Sequence, residues 1–110
     1  MKQFVIDELR PTDYKTLKTH LDDTYGAAAM DGIYWLPIAK EVLSDIQMKH
    51  KDCQPFYVAI DLEPDRIAVE LLVRTQSRVR CGCMAYATES QFVWLIRQLN
   101  TMFEILGIKS

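Results

Sequence analysis

At 110 residues with a formal net charge of −2, the chain has room for one domain and carries no general attraction to phosphate backbones or anionic membranes. Its 49% hydrophobic and 25% charged content argues against disorder, and no apolar run approaches the roughly 20 residues that span a bilayer. The opening residues (MKQFVIDELRP) hold no apolar core behind a basic stretch, and the thiols Cys53, Cys81 and Cys83 are odd in number. Together these predict a cytoplasmic chain with reduced cysteines.

Taken in chain order, residues 4–9 fit either a short edge strand or a helical lead-in, and Pro11 stops whatever precedes it. Thr12 suits an N-cap, and Tyr14, Leu17 and Leu21 recur at helical spacing, which predicts a helix over 13–23. Gly26 ends it, and the segment 26–32 (GAAAMDG) reads as an intradomain loop. Residues 33–36 (IYWL) could pair weakly with a sheet edge. Pro37 suits the first turn of a second helix, with Ile38, Val42, Leu43, Ile46 and Gln47 along one face.

Residues 55–87 alternate with period two over three segments. Phe56, Val58, Ile60 and Leu62 form one apolar row, Ile67, Val69, Leu71 and Val73 the next, and Val79, Cys81, Cys83, Ala85 and Ala87 the third. Pro64 sits where a type I turn favours it. Pairing Leu62 with Ile67 brings Ile60 to Val69 and Phe56 to Val73. Pairing Arg74 with Arg78 across the second turn brings Val73 to Val79 and Val69 to Cys83. Both hairpins put the apolar set on one face, which favours this register. The small third row would let a helix approach closely. That helix begins at Thr88, with Gln91 completing a capping box. Phe92, Leu95, Ile96, Leu99, Met102, Phe103 and Leu106 form its stripe, and Gly107 suits the C′ position. The fold expected is α+β: a three-stranded antiparallel β-meander packed against a long C-terminal helix and two N-terminal helices, with an N-terminal edge strand left open.

Chemistry-bearing constellations are sparse. Cys81 and Cys83 lie two apart on a presumed strand, both toward the core, about 6.6 Å from each other and so too far for a relaxed disulfide. A zinc site would need Cys53 and either His20 or His50 in addition. The expectation is therefore buried small side chains and no metal or cofactor. Neither histidine has a Ser or Cys partner at triad spacing, and no phosphate-loop, dinucleotide, zincin or nucleophile-elbow motif occurs.

Three surfaces could bind something. The second face of the sheet carries Leu72 and Met84, apolar where water is expected, and the last helix has a second stripe of Trp94, Gln98, Thr101 and Ile105. These six are the interface candidates. Tyr25, Tyr34 and Trp35 flank the 26–32 loop and could line a ligand pocket. Arg74, Arg78 and Arg80 with Tyr57 and Tyr86 could bind single-stranded nucleic acid, which the acidic balance disfavours.

The element order strand, two helices, three antiparallel strands, helix resembles the N-terminal half of the GNAT acetyltransferases. In that family a Q/R-x-x-G-x-G/A turn before the helix binds the acyl-CoA pyrophosphate. Here that turn reads Tyr86-Ala87-Thr88-Glu89-Ser90-Gln91 and holds no glycine. In size, charge and layout the chain is also similar to the small acidic chaperones of type III secretion. The reading that follows is a small cytoplasmic, non-catalytic partner-binding or regulatory module, homodimeric or bound to a protein partner and not to a membrane. The alternatives are a CoA-like anion binder or enzyme with a site near residues 26–32, and a single-stranded nucleic-acid binder acting through the sheet face.

Overall fold

The computed structural model describes residues 2–26, 32–75 and 82–109. Its strands are β1 (Gln3–Ile6), β2 (Ile33–Pro37), β3 (Phe56–Glu63), β4 (Arg66–Glu70), β5 (Leu72–Thr75) and β6 (Ala85–Tyr86). The helices are α1 (Pro11–Tyr25), α2 (Asp45–Lys49) and α3 (Glu89–Leu106), and 3-10 turns at Lys40–Val42 and Lys51–Cys53 flank α2. This is an α+β fold with an antiparallel sheet and a long C-terminal helix. The sheet runs β1-β4-β3-β5-β6, with β2 on the opposite edge of β3.

The first hairpin holds the expected register: Leu62 faces Ile67 and Ile60 faces Val69. Beyond that point the strand bulges. Ile60 faces Val69 but Tyr57 faces Arg74, so three steps on β3 are matched by five on its partner. Phe56 therefore meets Thr75 and not Val73. The extra length falls around Leu71, whose backbone serves the outer edge: its N–H donates to Lys2 and its carbonyl accepts from Ala87. The segment 3–6 settles as the edge strand β1, pairing Phe4 with Val69 and Ile6 with Ile67.

That placement explains a second correction. Because β1 occupies the outer edge of β4, the third strand of the expected meander cannot lie along it. β6 is displaced onto β5, where Leu72 pairs with Tyr86 and Val73 with Ala85, so Val69 never faces Cys83. Gly82 and Cys83 form a turn before β6, and Ala85 is exposed where a core position was expected. Arg78, Val79, Arg80 and Cys81 lie outside the described residues.

The helices differ from expectation at their ends. α1 begins at Pro11 itself, the position where proline's fixed φ and missing N–H cost nothing. Asp13 reaches back to accept from the Arg10 amide (3.1 Å) and guanidinium. Pro37 closes β2 instead of opening a helix, since IYWL pairs fully with β3 from Ile33↔Asp61 to Pro37↔Tyr57. The second helix shrinks to α2, capped by Ser44, which accepts from the Gln47 amide. α3 forms as read, from the Thr88–Gln91 box to Gly107 in the left-handed region.

One apolar core lies between the sheet and the helices. It joins Leu17 and Leu21 of α1 to Phe56, Val58, Ile60, Ile67 and Val69 of the sheet and to Leu95, Leu99, Met102 and Phe103 of α3. Phe92 of α3 meets Phe4 of β1 edge to face at 6.0 Å. Among the described residues, no helix is long and apolar enough to cross a membrane.

Candidate functional site

Strand alternation decides which side chains the helices cover. Phe4, Tyr34, Leu36, Val58, Ile60 and Val69 point to α1 and α3 and join the core. The other face carries the row Val5, Ala68, Asp61 and Ile33, the Trp35–Ala59 pair, and the row Arg74, Tyr57 and Pro37, with Leu72 beside Tyr86. Both α1 and α3 contribute their buried residues to the opposite side. Val5, Trp35 and Tyr86 are exposed, while Leu72, Met84 and Tyr57 are half-buried. Ala59 and Ala68 on this face are buried.

Charge on this face is mostly internal. Arg74 reaches Glu70 at 3.4 Å, and the Lys2 ammonium sits 5.1 Å from the Tyr86 ring centroid. The nucleic-acid candidates are thus divided: Arg74 faces a carboxylate, Tyr86 lies under a lysine, and Arg78 and Arg80 fall outside the described residues.

The ligand-pocket candidates do not converge. Tyr34 is buried, and its hydroxyl donates to Asp22 Oδ1 at 2.6 Å. Trp35, its chain neighbour, points to the other face. Tyr25 instead joins His20, Gln98, Thr101 and Ile105 around a cleft of about 150 Å³ between α1 and α3, floored by Leu36, Leu99 and Met102. A second hollow of about 280 Å³ lies over Ile38, Leu43, Pro55 and Phe56. Pockets for drug-sized ligands usually run from about 300 Å³ upward. Neither hollow therefore encloses a CoA-like molecule, and residues 27–31 of the proposed loop lie outside the described set. Trp94 is packed partly against the core, whereas Ile105 is 72% exposed.

Three shifted groups belong to α1. The hydrogen bond from Tyr34, followed by Lys18, holds the Asp22 carboxyl below the usual carboxylate range against the cost of desolvation. Arg10 does the same for Asp13. Burial alone raises the Tyr25 phenol.

A buried polar knot joins the starts of α2 and α3. Gln47 and Gln91 occupy the same N3 position in the capping boxes of α2 and α3. Gln91 Nε2 donates to Gln47 Oε1 at 2.8 Å, and Gln47 Nε2 donates to the Cys83 carbonyl at 3.4 Å. The Thr75 hydroxyl donates to the Cys53 carbonyl at 2.5 Å. Cys53 and Cys83, which the sequence places far apart, come together here with His50. Gln47 and Thr75 were not among the sequence candidates. The Ser44-x-x-Gln47 spacing repeats the Thr88-x-x-Gln91 signature and marks the start of α2, but nothing local announces its tertiary partner.

No protein-family model, curated protein or solved structure matches the chain.

Proposed function

We propose that this chain is a non-catalytic interaction module whose sheet face opposite the helices takes a protein partner, a second copy of itself in the first instance. The observation that carries this reading is the side of the sheet opposite the helices. It presents Val5, Trp35, Tyr57, Leu72 and Tyr86 with no described element over them. This face runs to the edge strand β2, whose five residues (IYWLP) carry no charge. Edge strands are normally blunted by charge, bulge or proline, and within β2 itself only Pro37 at the end serves that purpose. A two-fold pairing of β2 with β2 would satisfy both edges at once and place the two Trp35 side chains near the axis.

Native mass spectrometry and light scattering test the reading. A dimer at tens of micromolar is expected, and Trp35→Asp is expected to give monomers with an unchanged circular dichroism spectrum. A monomeric wild type, or a dimer that survives Trp35→Asp, overturns it. The competing interface is the outer stripe of α3, favoured by the exposure of Ile105. Ile105→Asp is the cleaner probe of that stripe, since Trp94→Asp would also disturb core packing.

A further inference from the structure

We infer that His50, Cys53 and Cys83 form a zinc-binding site. This inference stands apart from the reading of the sheet face and shares no residue with it. The imidazole nitrogen and the two sulfurs lie within 4.8 Å of one another. Tetrahedral zinc, with bonds of about 2.3 Å to sulfur and about 2.0 Å to nitrogen, holds its donors roughly 3.6–3.8 Å apart. Closing the site thus asks for movements of about 1 Å, within the reach of small side-chain rotations. Both cysteines are buried and His50 is half-buried. The sulfurs form a dry floor, and the imidazole stands at the solvent edge where an ion would enter. Two thiols and an imidazole select a thiophilic cation over magnesium or calcium, which take oxygen donors.

The local structure builds this arrangement. His50 ends α2 and opens the 3-10 turn Lys51–Cys53, and the Cys53 amide donates to the His50 carbonyl at 3.0 Å. Residues three apart in such a turn eclipse, so His-x-x-Cys puts its two donors on one side. Cys83 arrives from the turn before β6. The backbones of both cysteines are anchored by buried side chains, Thr75 on the Cys53 carbonyl and Gln47 on the Cys83 carbonyl. Outer hydrogen bonds of this kind hold ligands in place around an ion. The three donors among the described residues leave one tetrahedral position. The site acts as a clip that ties the α2 segment to the turn leading into β6 and α3. Binding converts both thiols to thiolates and releases two protons.

The test uses the full chain, reduced and stripped with a chelator, then titrated with zinc against a chromogenic competitor and separately with cobalt(II). One zinc per chain is expected. Cobalt should show thiolate charge-transfer and tetrahedral d–d absorption, and X-ray absorption of the zinc form should show at least two sulfurs and one imidazole. Zinc at a hundredfold excess over its Kd should raise the melting temperature by roughly 10 °C. Cys53→Ser should abolish the charge-transfer band. If that variant fails to fold, His50→Ala, at a half-exposed position, should keep the circular dichroism of the parent and weaken zinc at least about tenfold. Three results overturn the inference: no stoichiometric zinc on the reduced chain, cobalt absorption without thiolate character, or zinc affinity unmoved in the folded His50→Ala chain.

Discussion

The Gln47–Gln91 knot makes an asymmetric prediction. Both residues are buried, and leucine matches glutamine in volume while removing every polar atom beyond Cβ. In Gln47→Leu the Gln91 amide loses its acceptor at 2.8 Å in a place no water reaches, and the Cys83 carbonyl loses the bond from Gln47. A buried orphan costs about 1–3 kcal/mol and the longer 3.4 Å bond less, so the expected loss is about 2–4 kcal/mol. In Gln91→Leu the Gln47 oxygen still accepts from the Ser44 amide at 3.0 Å, and the Thr88 amide at a half-exposed cap loses its partner. The cost there is about 1–2 kcal/mol. The double variant removes both ends of the shared bond, so its cost should fall short of the sum by about 1–2 kcal/mol. Urea unfolding of the four metal-free, reduced proteins reads this directly. Additive costs, or Gln91→Leu as the more damaging change, would refute the account.

Two glycines with similar φ give a controlled comparison. Gly32 has φ +79, and a Cβ there would lie 2.7 Å from the Leu62 carbonyl oxygen, whereas Gly107 has φ +70 with open space around it. Gly107→Ala should cost about 1 kcal/mol, roughly 4 °C in melting temperature, and Gly32→Ala at least about twice that. Equal shifts would show that the backbone clash is relieved at no cost. The Asp22 carboxyl sits below its ordinary range, so its contribution is complete above the unfolded pKa and fades as pH falls through the lowered folded value. Tyr34→Phe removes the main cause, so stability at neutral pH should drop and its decline in acid should become shallower. An unchanged acid limb in the pH dependence of unfolding would remove Tyr34 from that role.

What could be read from the sequence divides along the range of the interactions involved. α3 was legible from cap to cap because Thr88, Gln91, the apolar stripe and Gly107 are all local signals. The first hairpin was legible too, because Pro64 and two alternating rows fix its register together. The failures begin at Leu71. Alternation continues through the bulge without a break in the pattern, since an insertion of two residues leaves the period intact. The sequence also holds no signal that β1 takes the outer edge of β4, and the third strand was placed there for want of a competitor. That error carried into the cysteines. Alternation predicts Cys81 and Cys83 as small core-facing strand residues, whereas Cys83 sits in a turn near His50 and Cys53. His-x-x-Cys was visible as a spacing, but its third member depends on a register that only the assembled sheet defines.

The two proposed sites lie toward opposite edges of the sheet, which makes them separable. β2 pairs with β3 on one side, while β5 and β6 lie on the other, with Cys83 just before β6. Among the described residues, β6 is held by two residue pairs, Leu72↔Tyr86 and Val73↔Ala85, and by the Ala87 amide donating to the Leu71 carbonyl, so its placement depends on what fixes the turn before it. Removing the metal should therefore lower the melting temperature and speed amide exchange at Tyr86 and Ala87. It should leave a dimer formed through β2 intact, because the β2–β3 pairing from Ile33 to Pro37 shares no bond with that turn. Trp35→Asp should do the reverse, dispersing the dimer without loosening the metal. Native mass spectrometry resolves both changes in one spectrum, since zinc and a second chain add distinct masses. If chelation alone split the dimer, the interface would have to include the β6 edge, and Tyr86 rather than Trp35 would be its centre.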